Sequence, residues 1–305
     1  FSPDQVLITG GSQQGLDLLG KVLLDDNDSV VIEKPGYLGA IQALSAYCPR
    51  FHDVVLEAEE MNAAGLRDAL QAHDVKMIYT VTNFQNPTGI TYTAARKKEL
   101  AALIRGSRAL IIEDNPYGEL RFLGEEVPSI AHDLPEQSIL LGSFSKVVAP
   151  ALRLGWVVAP PVVMDKLIVA KQATDLHTNY FAQRVLFQYL SDCNLDQYIA
   201  RIREGYRGQR SAMIDCIRKY FPPTVKFTEP EGGMFLWVTL PPPLTAMDLL
   251  ERAIARNVAF VPGLPFYANT PEENTLRLNY TNSNPDVIET GIRLIGEAIR
   301  ELQAS

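Results

Sequence analysis

The chain has 305 residues, 47% of them apolar and 21% charged, which is enough to bury a large core and, at this length, points to two domains. A net charge of −8 gives no general electrostatic reason to bind nucleic acid or an anionic membrane, and neither a local basic patch nor a span-length apolar run supplies one. Residues 1–10 lack the charged-then-apolar pattern of a signal peptide, so the cytoplasm is the expected compartment.

From Val6 to about Ala159, the short runs VLIT, SVVIE, KMIYTVT, ALIIE, SILLG and LGWVVA alternate with stretches of helical periodicity. This alternation predicts an α/β unit, a mainly parallel sheet with crossover helices on its faces. QQGLDLLGKVLL sets Leu16, Leu19, Val22 and Leu23 at helical spacing, and TAARKKELAALI does the same with Leu100, Leu103 and Ile104. We take residues 1–179 as this large domain and 180–220 as a helical interdomain region, broken at SDCNLD and stopped by FPP. Residues 221–305 form a smaller α+β domain: strand MFLWVTL, helix TAMDLLERAIARN, short strand VAFV, strand TLRLNYT and a last helix. Asn284-Pro285-Asp286 opens that helix with a cap, a proline at the first position and an acid in the first turn.

Cys48, Cys193 and Cys216 lie far apart with no CxxC pair, which excludes a disulfide framework and a thiolate metal site and leaves buried thiols as the expectation. His52, His73, His132 and His177 have no ligand-like spacing, so no metal is expected.

Where the strands end is more informative. VLITG runs into Gly11-Ser12-Gln13, VVIE into Lys34-Pro35-Gly36-Tyr37, MIYTVT into NFQNPTG with Asn86, LIIE into Asp114-Asn115-Pro116-Tyr117, and ILLG into Ser143-Phe144-Ser145-Lys146. Ligands of open α/β sheets bind outside the carboxyl ends of the strands, so five ends bring polar groups to one crevice. Each piece also has a plainer reading. GGSQQG is an ordinary strand-to-helix turn as well as an anion cradle. NPTG is generic turn chemistry, Asp114 a cap, Tyr37 and Tyr117 core aromatics, and Arg153 a surface charge. Lys146 is harder to dismiss: an amine ending a buried strand is either paired or destabilised as a cation, and a lysine that loses its proton easily is a nucleophile toward an aldehyde.

The succession GSQQ, PGY, NPTG, EDNPYGEL, SFSK and then an arginine resembles the class I/II aminotransferases, fold type I enzymes that use pyridoxal 5′-phosphate (PLP). EDNPYGELRF, GSFSKVVAPALRLGW, EGGMFLWV and RLNY are most similar to the branch with 2-aminoadipate and kynurenine aminotransferases, and the likeness spans nearly the whole chain. It implies that Lys146 holds PLP as a Schiff base and, once freed, moves the proton between substrate and cofactor. Asp114 would face the pyridine nitrogen, Asn86 and Tyr117 the 3′-oxygen, and Tyr37 the ring face. Ser12, Gln13, Ser143, Ser145 and Arg153 would hold the phosphate. In TLRLNYT, Arg277 alternates with Leu276 and Leu278 and so points off the core face; pattern alone allows a solvated arginine, whereas the resemblance makes it, with Asn86, the substrate-carboxylate site.

The implied activity is transfer of an amino group from an L-amino acid (aromatic, 2-aminoadipate-like or branched-chain) to a 2-oxo acid such as 2-oxoglutarate, by a homodimer. The competing readings are a ligand-sensing domain of a PLP-dependent transcription regulator and a PLP lyase on the same fold. Tyr180, Phe181, Phe266 and Tyr267 line an aromatic-tolerant pocket or pack a domain interface. Family members usually carry a substantial segment before the GSQQ strand that serves substrate recognition, the dimer and the neighbouring phosphate site; a protein starting at Phe1 would lack it and is expected to fall short of full activity.

Overall fold

The computed structural model describes residues 2–57 and 60–304. In chain order, β1 (Val6–Thr9), α1 (Ser12–Leu23), β2 (Ser29–Lys34), α2 (Leu38–Ser45), β3 (Arg50–Glu57), β4 (Glu60–Met61), α3 (Ala63–Ala72), β5 (Val75–Thr80), α4 (Ala94–Ile104), β6 (Leu110–Asp114), β7 (Ser138–Ser143) and β8 (Gly155–Val158) build the first layer system. Their sheet has the order β1-β8-β7-β6-β5-β2-β3-β4. Strands β3, β2, β5, β6 and β7 pair in parallel, whereas β8 is antiparallel to both β7 and β1. Two reversals cancel, so β1 runs with the parallel strands and its carboxyl end joins theirs. Burial on both faces explains why β2 and β5 read as continuous apolar runs: Val30, Val31, Ile32, Met77, Ile78 and Tyr79 are all fully buried.

The two amphipathic segments form the expected helices. Leu16 and Leu19 of α1 and Leu100 and Ile104 of α4 are buried, and each such leucine contributes roughly 2 kcal/mol. Strand β3 escapes the apolar-run criterion because RFHDVVLE is half-buried along most of its length, with His52 and Asp53 inside it.

Next come α5 (Pro161–Asp175), α6 (Tyr180–Asp192) and α7 (Leu195–Tyr220), followed by β9 (Lys226–Phe227), β10 (Phe235–Thr239), α8 (Ala246–Ile254), β11 (Val261–Pro262), β12 (Thr275–Asn279) and α9 (Pro285–Ala304). The break between α6 and α7 falls within SDCNLD because Asn194 caps α7, its side chain accepting from Gln197 N at 3.0 Å. Asn284 does the same for α9, accepting from Val287 N at 3.0 Å. A second sheet, β11-β12-β10-β9, packs on α7 and α9. Helix α7 serves both cores: Ile199 joins the large one, and Met213, Ile214 and Ile217 the small one.

Two expectations are overturned. VAFV is not a strand over its length: Val258 N donates to Ala253 O at 3.0 Å, closing the end of α8, so only Val261 enters the ladder. The thiols are not buried either, since Cys48 and Cys193 are exposed at the ends of helical segments and Cys216 is half-buried. Among the described residues no helix is long and apolar enough to cross a membrane, and no cluster of three or more His, Cys, Asp or Glu side chains is arranged to hold a metal.

Candidate functional site

The carboxyl ends of β1, β2, β5, β6 and β7 open on one cavity of about 330 Å³. Its lining includes Ser12, Gln13, Tyr37, Asn86, Asp114, Tyr117, Ser143, Ser145, Lys146, Arg153 and Arg277, every residue that the sequence assigned to the cofactor or the substrate carboxylate. Val81, Pro116 and Phe235 complete the wall.

At the first strand end, Gly11 turns the chain into α1 with φ of 88°, in the left-handed region. A side chain there would also meet Arg153, whose Nη2 lies 2.7 Å from where a Cβ would stand. Gly11 is the N-cap and offers no side chain, so the first N–H groups of α1 stay available to an anion. Arg153, itself left-handed at φ 50°, donates from Nη1 to Ser145 Oγ at 3.2 Å. Ser143 Oγ accepts from Ser145 N at 3.1 Å. Gln13 donates to Gly39 O at 2.6 Å, which ties the start of α1 to that of α2.

Asp114 ends β6 and is 1% exposed. Its Oδ2 accepts from Tyr79 Oη at 2.8 Å, while its buried Oδ1 has no partner. Burial raises its pKa to about 7; the Tyr79 hydrogen bond opposes that rise and the nearby Glu33 charge adds to it. Lys146 stands in the turn after β7 with Nζ 5.9 Å from the Tyr117 ring centroid. No carboxylate among the described residues forms an ion pair with it, and burial, then Arg153 and Arg277, lower its pKa. Arg277 lies on β12 opposite Trp237 and Val261, off the face that buries Leu276 and Leu278. Its Nη1 donates to Asn86 Oδ1 at 2.8 Å, its guanidinium sits 4.1 Å from the Phe235 ring centroid, and its buried Nε has no partner. Asn86 Nδ2 lies 3.5 Å from Tyr117 Oη.

Three cationic side chains against one carboxylate make the cavity a receptor for anions. An orphaned buried carboxylate oxygen, an unpaired amine of lowered basicity, flat aromatic walls and an uncapped helix start fit the donors and charges of PLP.

Sequence reasoning missed Tyr79 and Glu33. Glu33 is fully buried and accepts from Val81 N at 3.0 Å and Tyr92 Oη at 2.6 Å through Oε1 and from Gln85 Nε2 at 3.0 Å through Oε2; burial raises its pKa. The argument applied to Lys146, an ionisable group ending a buried strand, finds Glu33 equally well. Tyr79 is betrayed by a phenol hydroxyl at a position of β5 buried between apolar neighbours, which demands a buried partner. Tyr180 and Phe181, in contrast, are absent from the cavity: they are 65% and 78% exposed on α6. Phe266 and Tyr267 are buried with Trp237 and do not line the cavity; the Phe266 ring stands 5.2 Å from the Arg277 guanidinium, and its carbonyl accepts from Gly36 N at 2.8 Å.

Comparison with known proteins follows the same lines. The model of the family "Aminotransferase class I and II" matches residues 1–295. Aromatic-amino-acid aminotransferase 1 of Thermococcus litoralis is 43% identical over 99% of this chain and 74% of its own length. The 2-aminoadipate transaminase of Thermus thermophilus is 40% identical over 99% and 77%. The kynurenine aminotransferase of Pyrococcus horikoshii, solved in complex with PMP, superposes with a TM-score of 0.94 at 44% identity, covering 97% of this chain and 75% of that one.

Proposed function

Since the chain belongs to the class I and II aminotransferase family, we propose that it moves the amino group of an aromatic or 2-aminoadipate-like L-amino acid to 2-oxoglutarate. It is a PLP-dependent aminotransferase of fold type I. The regulator and lyase readings are not favoured, because the relatives at 40–43% identity are aminotransferases by name. The observation that carries the reading is the convergence of Lys146 and Arg153 from the β7–β8 connection, Asp114 from the end of β6 and Arg277 from β12 on one cavity.

When bound, PLP supplies an aldehyde carbon for the amino group and a ring that withdraws electrons from the substrate Cα. In our reading Lys146 would be the residue that holds the group covalently through Nζ. Its lowered basicity leaves more of the amine neutral, and the same Nζ would be the base that moves a proton at the substrate Cα. Asp114, through the orphaned Oδ1, opposes the ring nitrogen. Asn86 and Tyr117 face the ring hydroxyl oxygen, and Tyr37 flanks the ring. Ser12, Gln13, Ser143, Ser145 and Arg153 hold the phosphate, where a planar guanidinium gives two directed hydrogen bonds. Arg277, oriented by Asn86, would grip the substrate α-carboxylate and so fix the orientation of its Cα.

A panel of L-amino acids assayed with 2-oxoglutarate tests the substrate class: aromatic donors or 2-aminoadipate are expected to show the highest kcat/KM, and a preference for L-alanine or L-aspartate refutes the assignment. In the same assay Arg277→Lys loses the planar fork and lowers kcat/KM about 10²-fold or more.

The homodimer is part of this proposal. Val162, Val169, Leu176, Tyr180, Phe181 and Phe187 expose large apolar surface along α5 and α6, more than an isolated chain normally leaves to water. Light scattering of the native protein should give twice the chain mass, and Phe181→Asp should shift it toward one; a native monomer at micromolar concentration would remove this part of the reading.

A further inference from the structure

Tyr79 lies outside the cavity lining yet touches its central carboxylate. The whole residue is buried within β5, and its hydroxyl reaches Asp114 Oδ2 at 2.8 Å from behind the wall. Three other titratable groups bear on Asp114. Glu33, on β2, faces it with a second negative charge and is itself held rigidly by Thr80, Val81, Tyr92 and Gln85. Tyr37 and Tyr117 stand on the cavity side, where Lys146, Arg153 and Arg277 carry the positive charge. Against burial and the Glu33 repulsion, Tyr79 is, among the described residues, the one neutral side-chain donor hydrogen-bonded to the carboxylate. Burial and the Asp114 charge keep the phenol protonated, hence always a donor here.

We propose that Tyr79 is a positioning residue for Asp114: by occupying Oδ2 it turns Oδ1 toward the cavity and stabilises the carboxylate charge that faces the cofactor. The inference rests on the reading that Asp114 opposes the ring nitrogen. A carboxylate that loses this donor is a poorer partner for a protonated ring, although nothing in the cavity changes shape.

The test uses holoenzyme loaded with PLP carrying ¹⁵N in the ring, whose chemical shift against pH reports protonation of that nitrogen. In Tyr79→Phe the ring should deprotonate about one pH unit lower, a tenfold loss in proton affinity, as expected for removing a hydrogen bond to a charged group. Incorporating 3-fluorotyrosine at position 79 keeps the shape but strengthens the donor, and should move the midpoint the other way, even if the phenylalanine variant folds poorly. Asp114→Asn separates the two ideas. If it shifts the ring titration and both Tyr79 replacements leave the native curve, the hydroxyl merely packs the core and the inference fails. If Asp114→Asn leaves the curve unchanged, the placement of the ring nitrogen fails and takes the inference with it.

Discussion

Replacing Lys146 with alanine should abolish covalent attachment of the cofactor and lower amino transfer by at least about 10⁴-fold, because the proposed function gives one side chain the roles of tether and proton carrier. Borohydride reduction followed by intact mass measurement reads the first effect: native protein gains the mass of reduced PLP and the variant does not. Retention of that mass at another lysine would refute the assignment. The side chains proposed to hold the phosphate, Ser12, Gln13, Ser143, Ser145 and Arg153, are untouched by the change. Noncovalent binding of PLP should therefore persist, weakened but measurable by fluorescence quenching. The magnitude follows from the surroundings: among the described residues Lys146 is the only lysine in the cavity lining, so none of them offers a second amine to replace it.

Asp114→Asn should leave PLP bound and reduce kcat on the order of 10³-fold, since a neutral amide does not hold a proton on the ring nitrogen and the ring then withdraws electrons poorly. A rate within threefold of native would contradict the role. The same variant has an effect on stability of opposite sign. In cofactor-free protein the Asp114 pKa is raised from 3.8 to about 7. A raised carboxyl favours folding fully below its unfolded pKa, and that contribution is lost as pH rises through the folded one. Above pH 7 the native cofactor-free protein therefore carries a buried charge that asparagine does not. Thermal melts of the two should converge near or below pH 4, part as pH rises toward 7 and stay apart above it with the variant more stable, and identical curves at pH 8.5 would show that the charge is compensated. Lost activity beside gained stability distinguishes a functional carboxylate from a structural one. The buried pair Glu113–Lys97, at 3.2 Å, provides the contrast: Glu113 neighbours Asp114 in sequence but has its cation in place, and removing it should only destabilise.

How much of this was legible beforehand depends on the residue. The alternation of β-branched runs with helical periodicity carried the parallel sheet, because strands covered on both faces must be apolar throughout. Strand β3 was not legible, since a half-buried strand near the sheet edge tolerates His52 and Asp53 and loses the signal. VAFV had strand composition, but Val258 spends its N–H on the end of α8, a competition that composition does not express. Tyr180 and Phe181 carried the right chemistry for a pocket and stand in the wrong place, on an exposed helix face.

The polar groups at the strand ends were determined by sequence alone, and so was their chemistry: an amine, a carboxylate and two guanidinium groups, each where a strand or its following turn brings it to one edge of the sheet or, for Arg277, off the core face of a strand. Which of them meet, which oxygen of Asp114 is left without a partner, and that Glu33 and Tyr79 stand behind the wall were decided only by the tertiary structure. The reason is that strand order is not chain order: β2 pairs with β5 while β1 lies at the far edge beside β8, so Tyr79 and Glu33 reach Asp114 from 35 or more positions away along the chain, and no local pattern records them.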